Sequence, residues 1–368
     1  MFKTLLAATT VFVIGTTGAL ADTDNYVQTN LSSDLPGVAA HQDPNLVNPW
    51  GLVASATSPF WASDNGTGLS TLYNGTGTAQ ALVVTVPTGA PTGIVFNSTA
   101  SFAGSHFIFD TENGTLAAWT SGTSAMVEAT SPTGSVYKGL AIGAGASGNL
   151  LYAANFGLGS VDVFDANFHP TTVAGGFHDA SIPAGYAPFN IQAIGGDLYV
   201  TYALQDAAKH DDVAGMGHGY VDEFDMNGNL IRRFTGQGAL NSPWGLALAP
   251  SQFGALAGDL LIGNFGDGTI NAYDPVSGNF LTTLDGTSGN PLVIAGLWGL
   301  RFGNGAPGQD ANTLYFTAGI PGPDAIEDHG LFGSLAVPTP EPQATFLVGM
   351  GLGMFLFGAT RRRSKGSL

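Results

Sequence analysis

Hydrophobic residues occur along most of the chain in short runs that are separated by turns rich in glycine and asparagine. Two examples are LLYAANFG from Leu150 and LLIGNFGDG from Leu260, and alternating runs follow them, SVDVFD ending at Asp165 and TINAYD ending at Asp274. Such runs, punctuated by Asn-Gly, Asp-Gly and Gly-Asn, are typical of antiparallel strands joined by hairpins. The pattern therefore predicts an all-β chain.

The predicted strands are organised in a repeat. The strings that mark it are PWGL at 49–52 and 243–246, LWGL at 297–300, and the weaker copies PTGI at 91–94, YKGL at 137–140 and PFNI at 188–191. Their third residues are 51, 93, 139, 190, 245 and 299, so the period is about fifty residues. Three or four strands in a repeat of this length are typical of a propeller blade. Repeats starting near residues 48, 90, 136, 187, 242 and 296 thus predict a six-bladed β-propeller.

The sequence also indicates how the ring closes. The sixth repeat provides strands near Gly299–Phe302, Leu314–Thr317 and Leu331–Leu335 and lacks a fourth, whereas Asn25–Leu31 is strand-like and precedes the first repeat. Pairing this N-terminal strand with the sixth blade would remove two exposed sheet edges. A stacked β-solenoid is the structural alternative, although its repeats are normally shorter.

Both ends of the chain have the composition of targeting segments. Residues 1–21 combine Lys3, an apolar stretch and the ending Ala19-Leu20-Ala21, which predicts a secretory signal peptide. Residues 22–336 would then form the propeller domain. Residues 337–368 contain Pro340, Glu341 and Pro342, an apolar segment at 344–359, and Arg361, Arg362 and Arg363. As a helix this segment would measure roughly 24 Å, which makes it a marginal membrane anchor.

The C-terminal tail resembles the PEP-CTERM sorting signal of exported bacterial proteins. That resemblance implies an exosortase-type processing enzyme as a partner, and a final location at the cell surface or outside the cell after transient anchoring through the C-terminal segment. An uncut membrane anchor is the alternative.

The strings NPWGL, FWASDNGTGLSTLYNGTG and PTGIVFN also resemble a family of uncharacterised exported bacterial propellers with NHL-like repeats. This second resemblance implies six blades and no established activity.

Charge narrows the range of partners. The chain has 10 basic and 27 acidic residues, a formal net charge of −17, and no cysteine. Nucleic acid is excluded as a partner because binding to phosphates needs clustered Lys and Arg. Contact with a membrane is expected only through the C-terminal segment. Thiol chemistry and cysteine metal sites are excluded as well.

Candidate binding residues collect on one face of the predicted ring. Connections from second to third strands, and from a fourth strand to the next blade, leave an antiparallel blade on the same side. The His and Asp residues predicted to lie there are His41, Asp43, His178, Asp179, His210, Asp211, Asp212, His218, Asp328 and His329. Imidazole and carboxylate groups could hold a divalent cation, with solvated loop residues as the alternative.

Two functions remain open. The first is a non-catalytic binding protein that presents this loop face to an extracellular polysaccharide, a surface protein or an ion. The second is a metal-dependent hydrolase, lactonase or lyase, since such enzymes also use six-bladed propellers. The sequence has no Gly-x-Ser-x-Gly motif, and the three tryptophans of the repeat are expected to pack near the axis. We therefore expect a binding protein.

Overall fold

The computed structural model of the chain describes residues 25–322 and 327–338. The predicted signal peptide at residues 1–21 and the predicted sorting signal from Pro340 onward, with its apolar segment at 344–359, lie outside the described residues. Regular structure in the described part consists of 25 strands and two short 3-10 helices, Phe102–Gly104 and Gly254–Leu256. Neither of these helices has the length and hydropathy that a membrane span requires.

The strands form six separate sheets, each of which is one blade. Before the first blade come β1 (Val27–Ser33) and β2 (His41–Gln42). Blade 1 contains β3 (Pro49–Val53), β4 (Phe60–Asp64), β5 (Leu69–Tyr73) and β6 (Val84–Thr85). Blade 2 contains β7 (Pro91–Phe96), β8 (Phe107–Thr111), β9 (Thr115–Trp119) and β10 (Met126–Thr130). Blade 3 contains β11 (Tyr137–Gly145), β12 (Gly148–Asn155), β13 (Ser160–Phe164) and β14 (Pro170–Thr171).

The remaining blades follow the same order. Blade 4 contains β15 (Tyr186–Ile194), β16 (Asp197–Leu204), β17 (Tyr220–Phe224) and β18 (Leu230–Gly236). Blade 5 contains β19 (Pro243–Leu248), β20 (Leu260–Asn264), β21 (Ile270–Tyr273) and β22 (Phe280–Thr283). Blade 6 contains β23 (Leu297–Phe302), β24 (Leu314–Ile320) and β25 (His329–Ala336). Successive blades contact one another through their first strands, and β23 contacts β3, so the ring is closed.

The N-terminal strand supplies the missing strand of blade 6. Strand β1 pairs antiparallel with β25, from Val27 opposite Ala336 to Ser33 opposite Leu331. This pairing confirms the predicted closure, and it joins the two ends of the propeller in a single sheet. The fold is thus an all-β, six-bladed propeller.

Burial explains why some runs are continuously apolar and others alternate. The first and second strands of a blade are covered by neighbouring blades on both faces, so all five residues of β3 and of β4 are buried. The outer strands are largely exposed, as in β10. Buried apolar side chains of the described residues form seven clusters, six of them between adjacent blades and one at the axis.

The glycine of the repeated string allows the inner strands to approach one another. A Cβ atom on Gly93 would lie 2.3 Å from the backbone nitrogen of Leu140, and one on Gly299 would lie 2.7 Å from the carbonyl oxygen of Trp50. Blade 4 has Asn190 at this position, and its side chain donates a 2.7 Å hydrogen bond to the carbonyl of Trp244 in blade 5. The repeat therefore encodes contacts between blades.

Candidate functional site

An aromatic cluster closes the middle of the central channel. Trp50 and Trp298 stack with their ring centroids 3.6 Å apart, and Trp244 meets both rings edge-on. All three are buried, and Phe265 stacks on the other side of Trp298 at 3.9 Å. The expectation that the tryptophans pack near the axis is confirmed. We call this group of four rings the axial plug.

One cavity lies on each side of the axial plug. The upper pit, of about 150 Å³, opens on the face that carries the second-to-third and fourth-to-first connections, and Trp50, Trp298 and Phe265 form part of its lining. The lower channel, of about 320 Å³, is lined by the later residues of the inner strands and by Trp244. The upper pit contains the ionisable side chains, so we describe it first.

Hydrogen bonds connect blades 6, 1 and 2 along one wall of the upper pit. The Asn48 amide donates to Glu327 Oε1 at 3.0 Å and to Asn65 Oδ1 at 3.4 Å, and Asn65 in turn donates to Glu112 Oε2 at 3.0 Å. Trp298 Nε1 donates to Asn48 Oδ1 at 3.1 Å, which ties this network to the axial plug. The wall is thus built from residues far apart in the sequence.

Lys138 continues the network into blades 3 and 4. Its ammonium group forms an ion pair with Glu112 and lies 3.5 Å from Asp211 Oδ1, although the side chain is only 2% exposed. It also lies 4.9 Å from the ring centroid of Trp50, a cation–π distance. The buried positive charge is therefore held by two carboxylates and an aromatic face.

The rim of the pit is formed by the long connection between β16 and β17. Gln205 and Asp212 form a bridge across its base, and the Asp206 carboxylate accepts the backbone N–H of His210 at 2.9 Å. This hydrogen bond is the main reason why the pKa of Asp206 is lowered. The loop places the imidazole Nδ1 of His210 at 2.8 Å from Asp211 Oδ1.

Burial shifts the protonation of two acids in the pit. Desolvation raises the pKa of Glu327 to about 7, against the smaller lowering effects of the hydrogen bond from Asn48 and the charge of Lys138. Desolvation also raises the pKa of Asp212. Near neutral pH, Glu327 is therefore present in both its protonated and its ionised form.

Three side chains of the pit have the geometry of a metal site. Ligand atoms of Glu112, His210 and Asp211 all lie within 4.8 Å of one another. One imidazole and two carboxylates form a donor set that suits zinc or manganese better than calcium, which prefers oxygen ligands alone. The residues present thus fit a divalent cation.

Of the ten residues predicted from the sequence, three line the upper pit: His210, Asp211 and Asp212. Three others have structural contacts elsewhere. Asp43 accepts a 2.8 Å hydrogen bond from the Tyr73 hydroxyl, Asp179 pairs with an arginine of blade 4, and His329 Nδ1 lies 2.6 Å from an aspartate of the β1–β2 connection.

The other four predicted residues also lie outside the pit lining. His218 Nδ1 contacts the Val213 carbonyl at 2.8 Å within its own loop. His41, His178 and Asp328 are exposed. The shared face was predicted for all ten residues, but convergence on the axis depends on how far each loop reaches inward.

Sequence reasoning missed Lys138 and Glu112 as site residues. Lys138 occupies the position at which three repeats have tryptophan and one has phenylalanine. Glu112 follows the second strand of its blade, where blades 3 and 5 have Phe156 and Phe265. A charged residue at a usually aromatic position of the repeat was the signal that could have found Lys138, whereas the position of Glu112 is aromatic in only two other blades and gives a weaker signal.

The fold and the pit define the class: a closed six-bladed β-propeller with an ionisable pit at one end of its axis. No protein-family model matches the chain. It is 35% identical over 321 residues to uncharacterized protein R648 of Acanthamoeba polyphaga mimivirus, which covers 80% of this chain and 76% of R648. It is also 35% identical over 323 residues to uncharacterized protein L690 of that virus, covering 81% and 82%. The chain belongs to the family of these two proteins.

Solved structures support the fold. A streptogramin B lyase structure superposes with a TM-score of 0.50 at 12% identity, covering 85% of this chain and 97% of the lyase. A protein of unknown function from Bacteroides thetaiotaomicron superposes with a TM-score of 0.52 at 13% identity, covering 86% and 74%. At these identities the likeness shows the propeller architecture alone.

Proposed function

We propose that the chain is a binding protein whose upper pit holds a divalent cation through Glu112, His210 and Asp211. The observation that carries this proposal is the spacing of their ligand atoms, within 4.8 Å of one another beside a cavity of about 150 Å³. The bound cation would present the pit to a polar ligand, and the aromatic rings of the axial plug would contact the apolar part of that ligand.

The charge balance of the pit favours a cation. Among the described residues, Glu112, Asp211, Asp212 and Glu327 are the acids that line it, and Lys138 is the only lysine or arginine in the lining. Lys138 contacts one oxygen of Glu112, so the second oxygen, which accepts from Asn65, remains on the side away from the ammonium group. A carboxylate oxygen has more than one lone pair and can accept a hydrogen bond while it binds a metal.

Metal analysis of the full chain after equilibrium dialysis against Zn²⁺, Mn²⁺ or Ca²⁺ tests the proposal. We expect about one equivalent of Zn²⁺ or Mn²⁺, and at least a tenfold loss of affinity in Glu112→Gln and His210→Ala, because each ligand supplies several kcal/mol. The matched controls are Glu128→Gln on the exposed strand β10 and His169→Ala, whose side chain is 76% exposed. Equal metal content in all four variants would contradict the proposal.

A lyase is the second candidate function, because the pit contains a His–Asp contact of 2.8 Å and an acid with a pKa of about 7. Glu327 could donate or accept a proton near neutral pH, and His210 could act on a substrate at the rim. The likeness to the streptogramin B lyase structure suggests quinupristin, which is present in a related lyase structure, as a probe substrate. Liquid chromatography would detect a product that wild type forms and His210→Ala does not.

We also propose that the chain is exported and sorted, on the basis of residues 1–21 and the tail at 337–368. The partners would be an exosortase-type enzyme during processing and an extracellular polysaccharide or surface protein afterwards. Cell fractionation with antibodies against the propeller and against the tail tests this proposal. A surface-exposed protein that has lost the tail is expected, whereas a tail retained on mature surface protein would support an uncut anchor.

A further inference from the structure

The lower channel contains a partly buried cation that differs from the other basic residues of the described chain. Among the basic residues that the structure describes, Lys138, Arg232 and Arg233 each contact a carboxylate, and Lys209 is exposed. Arg301 forms no ion pair within residues 25–322 and 327–338, although 27 acidic residues are present in the chain to provide one.

The guanidinium of Arg301 is also short of hydrogen-bond acceptors. Its Nη2 donates to the carbonyl of Ala54 at 2.9 Å, while its Nε is buried and finds no acceptor in the described part of the chain. A buried donor without a partner costs free energy, and an unpaired buried charge costs more. Burial accordingly lowers the pKa of Arg301. An anion beside this group would provide both an acceptor for the Nε donor and a counterion for the guanidinium charge.

The walls of the lower channel suit an anion with an apolar body. The channel has a volume of about 320 Å³. Among the residues that the structure describes, Arg301 is the only charged one in its lining, and no Asp, Glu or His lines it. Its apolar lining residues include Leu52, Ile94, Leu140 and Ile191. A volume of this size falls within the range of small-molecule sites.

The backbone adds further polar groups. Each inner strand pairs with another strand on one side only, so the opposite edge of β3, β7, β11, β15, β19 and β23 carries N–H and C=O groups that lie outside the sheet ladders, near the axis. Some of these groups bond to side chains, such as the N–H groups of Gly93 and Gly299. Backbone N–H groups at such an edge can bind a carboxylate or phosphate together with an arginine fork. The channel thus offers a charge, backbone donors and apolar walls in one cavity.

We propose that the lower channel binds a small organic anion, whose carboxylate or phosphate contacts Arg301 and whose apolar part lies against the inner strands. This site is separate from the upper pit, because the axial plug lies between them. The two sites would therefore bind ligands of opposite charge at the two ends of one axis.

Isothermal titration of the full chain with benzoate, phenyl phosphate and the neutral analogue benzyl alcohol tests this site. Benzoate and phenyl phosphate distinguish a carboxylate ligand from a phosphate ligand. We expect at least one of the two anions to bind about tenfold or more tightly than benzyl alcohol, and Arg301→Gln to remove that advantage, since a charged hydrogen bond is lost. Tryptophan fluorescence, to which Trp244 in the channel lining contributes, gives a second readout of binding.

Arg232→Gln is the matched control, because Arg232 is paired with Glu223 at 2.6 Å on the outer part of blade 4. This variant should bind the anions as wild type does. If Arg301→Gln does not fold, Arg301→Lys keeps the charge without the fork and should bind at least about threefold more weakly. Equal affinity in wild type and the Arg301 variants, or binding of neither anion, would overturn the proposal.

Discussion

At the scale of single residues, the repeated string encodes inter-blade contacts through its glycine and its second position. The glycine is predictable from the sequence as part of a repeat, but its physical reason, the close approach of the next inner strand, requires the structure. The second position is usually aromatic and supplies three of the four rings of the axial plug, whereas Lys138 places a charge there that contacts Glu112 in the pit.

The close contact between Gly93 and the next inner strand can be tested by its effect on stability. Gly93→Ala should lower the free energy of unfolding by about 3 kcal/mol or more, because the new Cβ would meet backbone atoms that cannot move independently. Gly122→Ala is the control: it has open space and a φ of +83°, so backbone strain alone should cost about 1 kcal/mol. Urea denaturation measures both, and equal losses would refute the role of inter-strand contact.

The ion pair between Lys138 and Glu112 can also be tested by its effect on stability. Lys138→Met should destabilise the protein by about 3 kcal/mol, because it leaves a mostly buried carboxylate without its counterion. Adding Glu112→Gln should restore part of this loss, since the uncompensated charge is then removed. The exposed Lys209→Met should change the free energy of unfolding by less than about 0.5 kcal/mol. A double variant no more stable than Lys138→Met would argue against a coupled pair.

At the scale of strands and blades, much of the architecture was predictable. Periodicity located the blades, and the leftover strand at Asn25–Leu31 with the incomplete sixth repeat predicted the closure that β1 and β25 form. The upper pit was predictable only in part, because its residues come from all six blades and from different positions within them. His210 lines the pit and His178 does not, because their loops extend to different distances toward the axis. No local sequence pattern predicts how far a loop extends.

Closure by β1 can be tested with a disulfide, because the chain has no cysteine of its own. Thr29 and Ser334 are opposite each other in the β1–β25 ladder. Thr29→Cys with Ser334→Cys should raise the free energy of unfolding by about 2–4 kcal/mol when oxidised, since the bond links the two ends of the ring. The reduced protein is the matched control. An oxidised form that is no more stable than the reduced form would show that the ring does not open at this seam during unfolding.

At the scale of the whole molecule, stability should fall as pH rises. Desolvation raises the pKa of Asp110 and of Glu327 to about 7, and it raises that of Asp64 as well. Between about pH 4 and pH 7 the folded state therefore holds more protons than the unfolded state, and the stabilisation is lost as pH rises through the folded pKa. Repulsion among the excess acidic residues acts in the same direction.

Urea denaturation between pH 5 and pH 8 measures this dependence. Asp110→Asn removes one titrating group while the side-chain oxygen can still accept from Thr92 and from the Gly93 backbone, so its stability should depend less steeply on pH. Asp285→Asn, at the edge of blade 5, is the control. A wild-type protein that is more stable at pH 8 than at pH 5 would contradict the account.

For the whole molecule, we propose that ligands bind at the two ends of the propeller axis. Six interfaces between blades hold the ring together, which leaves the two ends of the axis available for ligands. The upper pit combines the acids and the imidazole, and the lower channel contains Arg301. The proposed function depends on a cation bound in the upper pit.

Anomalous diffraction from a crystal soaked in Zn²⁺ shows directly whether a divalent cation binds in the upper pit. We expect one strong zinc peak in the upper pit, with ligand distances of about 2.0–2.2 Å to Glu112, His210 and Asp211. A crystal of Glu112→Gln should lose that peak and keep any adventitious surface peaks. An upper pit without a zinc peak at a saturating concentration, or zinc bound only at other positions, would contradict the account.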